Sequence, residues 1–137
     1  MSRAARILIV DDDGGYIESN RDLLEAYGYE VFAASNGQDG LAVAHKVHPD
    51  LMILDVMMTS DTEGFEVARR IPDSPDLRHM GVLLVTGVTK ALNLPGVLQP
   101  DDTWLPVDRV LEKPIPPDRL IAEVERVLKA RHAGSPA

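Results

Sequence analysis

The stretch Arg6-Ile7-Leu8-Ile9-Val10-Asp11-Asp12-Asp13 decides how the rest of the chain is read. Its apolar run is too short for a free-standing helix and is rich in β-branched residues, so it reads as a strand that stops at three carboxylates. The run is also too short, and too quickly followed by acid, to be the apolar segment of a secretory signal. Similar short runs recur at residues 29–33, 51–54, 82–85 and 109–111, which makes five strands.

Between the strands the apolar spacing changes to three and four residues, the mark of amphipathic helices. Ile17, Leu24 and Tyr27 trace the first, Leu41, Ala44 and Val47 the second, and Phe65, Ala68 and Ile71 the third. Leu120, Val124, Val127 and Leu128 trace the last. Ser35 and Gln38 fit a capping box for the second helix, and Asp118 with Lys129 and Arg131 suits the dipole of the last. Gly14 and Gly15 weaken the start of the first helix, where a flexible opening is expected. Strands alternating with helices predict a parallel sheet covered on both faces. The rhythm breaks at residues 87–108, where Pro95, Gly96, Pro100 and Pro106 leave room only for a short helix near residues 90–93. A long irregular connection is expected there, pinned to the body by Trp104 and Leu105; it reads first as a tolerated surface insertion and second as a remodelled partner-binding face.

Composition narrows the function. The chain has 137 residues, a size that suits one domain, and its net charge of −8 repels a phosphate backbone. With six aromatic residues there is little to build a base-stacking platform, so nucleic acid is not an expected partner. No Cys is present, which excludes disulfides, thiolate metal sites and thiol nucleophiles. No stretch reaches membrane-spanning length, so no membrane is expected and a cytoplasmic location is. His45, His48, His79 and His132 show no ligand spacing relative to the acids and read as surface residues.

The chemistry gathers at one edge. In an open parallel sheet, ligands bind outside the carboxyl ends of the strands. Asp11 and Asp12 follow the first strand, Asp55 ends the third, Thr86 ends the fourth and Lys113 follows the fifth. Singly, an Asp at a strand end is an ordinary turn former or helix cap. Five polar residues on one edge are another matter. Three clustered carboxylates repel one another and call for a cation, and hard oxygen ligands suit Mg²⁺. A carboxylate beside that ion can attack a phosphoryl group, while Lys113 supplies a point charge and Thr86 a hydroxyl to the phosphoryl oxygens.

With these residues the sequence resembles the receiver domain of two-component response regulators. The motifs are Ile7-Leu-Ile-Val-Asp11-Asp12-Asp13, Pro49-Asp50-Leu-Met-Ile-Leu-Asp55-Val-Met-Met58, Val82-Leu-Leu-Val-Thr86-Gly87 and Leu111-Glu-Lys113-Pro114. The resemblance implies a flavodoxin-like, doubly wound α/β fold with a five-stranded parallel sheet in the order 2-1-3-4-5, helices on both faces and a short or irregular fourth helix. It covers nearly the whole chain, so residues 1–137 are expected to form a single receiver domain, with a core at about 5–130 and no effector domain. It further implies that Asp55 accepts a phosphoryl group from a histidine kinase or phosphotransfer protein, with Thr86 and Lys113 completing the reaction site. Mg²⁺ would be held by Asp11, Asp12, Asp55 and the backbone carbonyl of Met57. The product would signal to an unknown downstream protein, from a monomer or weak dimer, with only self-phosphorylation and autodephosphorylation as chemistry and not as an enzyme. A cis peptide at Lys113–Pro114 is expected too.

Three features depart from the family pattern. The loop at residues 59–63 is one residue longer and more acidic than usual, Val110 stands where the family places a switching aromatic, and the fourth helix is curtailed. Two other functions compete. A pseudo-receiver would use the same surface for protein interaction alone. A haloacid-dehalogenase-like phosphatase would use Asp11 as nucleophile, on the strength of Val10-Asp11-Asp12-Asp13-Gly14, but would leave Asp55 without a role.

Overall fold

The computed structural model describes residues 4–55, 63–86 and 107–133. Five parallel strands, β1 (Arg6–Val10), β2 (Glu30–Ala34), β3 (Leu51–Asp55), β4 (Gly81–Thr86) and β5 (Arg109–Glu112), pair in the order β2-β1-β3-β4-β5. Helices α1 (Gly14–Ala26), α2 (Gly37–Val47), α3 (Glu63–Arg70) and α4 (Pro117–Ala133) lie between and after them, with one 3₁₀ turn at Pro75–Leu77. Each strand found is the one expected, β1 with the same bounds and the other four shifted or lengthened by a residue at their ends.

Side chains alternate across a strand, and here both sides are apolar. Leu8, Val10, Met52, Leu54, Val82 and Leu84 face one way, onto Ala44 of α2, Val67 and Ala68 of α3 and Ile71 just after it. Ile7, Ile9, Leu51, Ile53, Leu83 and Val85 face the other, onto Ile17 and Leu24 of α1 and Leu120, Ile121, Val124 and Val127 of α4. The helices therefore form two layers around one sheet. From β1 the chain passes through α1 to β2 on one side, then through α2 to β3 on the other. Right-handed crossovers in opposite directions put α1 and α2 on opposite faces. The strand order reverses between β1 and β3, and a crevice opens at their carboxyl ends.

Local signals explain most helix ends. Asp13 caps α1, accepting from the Tyr16 N–H at 3.1 Å, and Gly28 takes a φ of +92° just past its end, a conformation that favours glycine. α1 is helical from Gly14 onward, and the Asp13 cap satisfies a donor of its first turn. The capping box of α2 is also corrected. Asn36 is the cap, accepting from the Asp39 N–H at 2.8 Å, so the motif runs one residue later than Ser35 and Gln38. α4 continues to Ala133, with Arg131 in its last turn and paired with Asp108 at 2.9 Å. The 90–93 helix, Trp104 and Leu105, and the 59–62 part of the long loop lie outside the described residues. Among the described residues, no helix is long and apolar enough to cross a membrane.

Candidate functional site

β1 and β3 are neighbours with Val10 opposite Leu54, so the next residue of each, Asp11 and Asp55, emerges side by side at the reversal point. Asp12 follows in the turn toward α1. One ligand oxygen from each of Asp11, Asp12 and Asp55 lies within 4.8 Å of the others, and among the described residues this is the only group of acids and histidines so gathered. Asp11 and Asp55 are buried while Asp12 is exposed, which leaves the cluster open on one side. An oxygen-only donor set of this kind fits a hard divalent cation.

The cation already present is Lys113. Its Nζ donates to Asp11 Oδ2 at 3.1 Å and stands 3.8 Å from Asp55 Oδ1. The lysine is delivered by β5, whose end is tied to β4 by a hydrogen bond from the Lys113 N–H to the Thr86 carbonyl at 2.8 Å. The Lys113–Pro114 peptide is cis, as expected. Burial works against the ammonium, but Asp55 and Asp11, together with the Asp11 hydrogen bond, outweigh it and hold the lysine above its ordinary pKa. Thr86 is buried at the end of β4, in register with Glu112.

The structure thus brings Asp11, Asp12, Asp55, Thr86 and Lys113 to one sheet edge. Met57 lies outside the described residues, as does Gly87. Asp11 has both oxygens engaged, Oδ1 by the Asp13 N–H at 2.9 Å and Oδ2 by Lys113, an arrangement that suits a positioning carboxylate better than a nucleophile. Val110 sits in β5 opposite Leu84, half-buried against the α2–α3 layer.

One residue at this edge was missed from sequence. The ring of Tyr16 lies under the Lys113 ammonium, 4.1 Å from Nζ to the ring centroid. Burial raises the Tyr16 pKa most, with Lys113 opposing and Asp11 and Asp55 adding to the rise, so its hydroxyl stays protonated. A signal existed: Asp13 caps the helix, which puts Tyr16 in the first turn of α1, close in sequence to the end of β1.

Comparison with known proteins agrees with this geometry. The family model for the response regulator receiver domain matches residues 7–125, and the chain belongs to that family. Among curated proteins it is similar to the response regulator PleD of Caulobacter vibrioides, 45% identical over 89 residues that cover 62% of this chain and 18% of PleD. It is also similar to the polar-differentiation response regulator DivK of Brucella ovis, 36% identical over 80 residues that cover 58% of this chain and 64% of DivK. The chain therefore spans less than two thirds of the length of either relative. Among solved structures, a CheY-like receiver domain protein from Methanospirillum hungatei superposes with a TM-score of 0.78 at 28% identity, covering 96% of this chain and 99% of that one.

Proposed function

We propose that this chain is a phosphoacceptor in which Asp55 takes a phosphoryl group from the phosphohistidine of a histidine kinase or phosphotransfer protein. The observation that carries this reading is the buried Asp55 carboxylate, gathered within 4.8 Å of Asp11 and Asp12 and 3.8 Å from the Lys113 ammonium. In the transfer, a carboxylate oxygen of Asp55 forms a bond to phosphorus as the P–N bond of the donor breaks and the imidazole leaves with its electron pair. Asp11, Asp12 and Asp55 would hold Mg²⁺, with the Met57 carbonyl as a further ligand. Held there, the ion would supply positive charge to the phosphoryl oxygens. Lys113 moves from Asp11 toward a phosphoryl oxygen, and the Thr86 hydroxyl meets another. Asp11 stays a carboxylate that orients the site.

Modification turns a buried carboxylate into a group with added charge and acceptor oxygens. Asp55 ends β3 and Thr86 ends β4, and a change in the arrangement of this sheet edge is the signal read by a downstream protein. On this reading the chain works as a signalling switch in the cytoplasm and not as an enzyme with an external substrate.

The test is uptake from a small phosphodonor with and without Mg²⁺, in the natural protein and in Asp55→Asn and Asp11→Asn. A base-labile adduct that needs Mg²⁺ and disappears in Asp55→Asn supports the proposal. Labelling that survives in Asp55→Asn but is lost in Asp11→Asn would point to the phosphatase chemistry instead. No adduct under any condition would leave a protein-interaction module.

A further inference from the structure

We infer that Tyr16 is a positioning residue for the reaction at Asp55, its ring holding the Lys113 ammonium over the carboxylate cluster. The inference rests on the phosphoacceptor role of Asp55. Three contacts fix the ammonium: Asp11 Oδ2 at 3.1 Å, Asp55 Oδ1 at 3.8 Å and the Tyr16 ring centroid at 4.1 Å. The two carboxylates draw it toward the sheet edge. The ring supplies its negative face from another direction.

A lysine is a point charge on a long flexible stem, so its placement depends on what surrounds it. Only 29% of the Lys113 side chain is exposed, and a cation–π contact strengthens as water is removed. The backbone of Tyr16 is anchored on both sides. Its N–H is tied to the Asp13 cap at 3.1 Å, and its carbonyl accepts from the Asn20 amide at 2.8 Å. The ring therefore leaves the ammonium a short path between Asp11 and a phosphoryl group on Asp55, and restricts its escape to solvent. Neither carboxylate can do this, because each attracts the ammonium only toward itself.

Two variants separate the ring from the hydroxyl. Tyr16→Phe keeps the ring, and Tyr16→Leu removes it while leaving a good helix former. Two readouts are taken on folded protein. One is the proton chemical shift of the Lys113 ε-methylene, which an aromatic ring beneath it moves upfield. The other is the maximal rate of phosphoryl uptake from a small phosphodonor with Mg²⁺, separated from the donor concentration at half-saturation.

The natural protein and Tyr16→Phe are expected to share the upfield shift and the rate. Tyr16→Leu is expected to lose the shift and slow the maximal rate by about 2- to 30-fold, the span of a cation–π contact from exposed to desolvated, with half-saturation little changed. A natural-protein spectrum without the upfield shift, a Tyr16→Leu rate equal to the natural one, or a Tyr16→Phe rate as low as that of Tyr16→Leu would each overturn the inference. Natural protein that takes up no phosphoryl group at all marks failure of the phosphoacceptor reading, and the role of Tyr16 in that reaction falls with it.

Discussion

Asp76 and its two histidines show what a single residue's surroundings do here. His45 Nδ1 lies 2.7 Å from Asp76 Oδ2, and His48 Nε2 lies 3.5 Å from the same oxygen. The His45 hydrogen bond, with burial opposing it, leaves the Asp76 carboxyl below its ordinary pKa. A depressed carboxylate pKa contributes stability that is present above the ordinary value and is lost as pH falls through the folded one. An NMR titration should therefore find Asp76 below the usual aspartate range, and His45→Ala should return it upward; an unchanged value in the variant would show that the contact does not exist in solution. The pair is separated by 31 residues and joins α2 to the 3₁₀ turn, so no local pattern announced it. The contact between Tyr16 and Lys113 is likewise long-range: the Asp13 cap places Tyr16 in the first turn of α1, but nothing local names Lys113 as its partner. By contrast, Asp11, Asp12, Asp55, Thr86 and Lys113 were legible, because a strand end carries its residue to a known edge of a parallel sheet whatever the side-chain details. Asp12 also makes a residue-scale prediction. It is the exposed member of a mutually repelling cluster, so Asp12→Asn should raise the melting temperature of metal-free protein while weakening phosphoryl uptake. A fall in metal-free stability would contradict the repulsion.

At the scale of elements, the periods of two and of three to four residues placed five strands and four helices, and the errors fall where tertiary packing set the phase. The start of α2 is the clearest case. Both Ser35 with Gln38 and Asn36 with Asp39 resemble capping pairs, and nothing local chooses between them. Packing distinguishes them: with Asn36 as cap, Gly40 turns toward β1, where a Cβ would come within 2.8 Å of Val10 Cγ2. Val10 is buried and β-branched, so it cannot easily swing aside. Gly40→Ala should therefore lower stability by about 1–2 kcal/mol, overpacking outweighing the gain in helix propensity. Gly14→Ala, which meets nothing within 4 Å in the first turn of α1, should instead stabilise by a few tenths of a kcal/mol up to about 1 kcal/mol. Denaturant unfolding of the two variants checks both signs, and stabilisation by both would contradict the close approach of α2 to β1. Arg131, in the last turn of α4, also has a tertiary partner: its guanidinium reaches Asp108, which accepts from the Val82 N–H at 2.7 Å as well and so braces α4 against the start of β5.

For the whole molecule, the doubly wound sheet does one thing that matters for function: it sets the carboxylates of β1 and β3 side by side and brings β4 and β5 to them with a hydroxyl and an ammonium. Three carboxylates face one lysine, so the folded state should bind a divalent cation more strongly than the unfolded chain, in which Asp55 is remote from Asp11 and Asp12. By mass action, Mg²⁺ at a hundredfold excess over Kd should add about 2.7 kcal/mol of stability. For a domain of this size that is a rise of roughly 10 °C in Tm. Calorimetry with and without Mg²⁺ checks it, and an unchanged Tm at saturating Mg²⁺ would mean that the edge does not hold the ion. The most direct measurement of the central claim is chemical. After incubation with a phosphodonor and Mg²⁺, borohydride reduces an aspartyl phosphate to homoserine, which peptide sequencing by mass spectrometry locates. Homoserine at position 55 is the predicted result; homoserine at position 11 or 12, or at none of the three, would contradict the assignment of Asp55 as the phosphoacceptor.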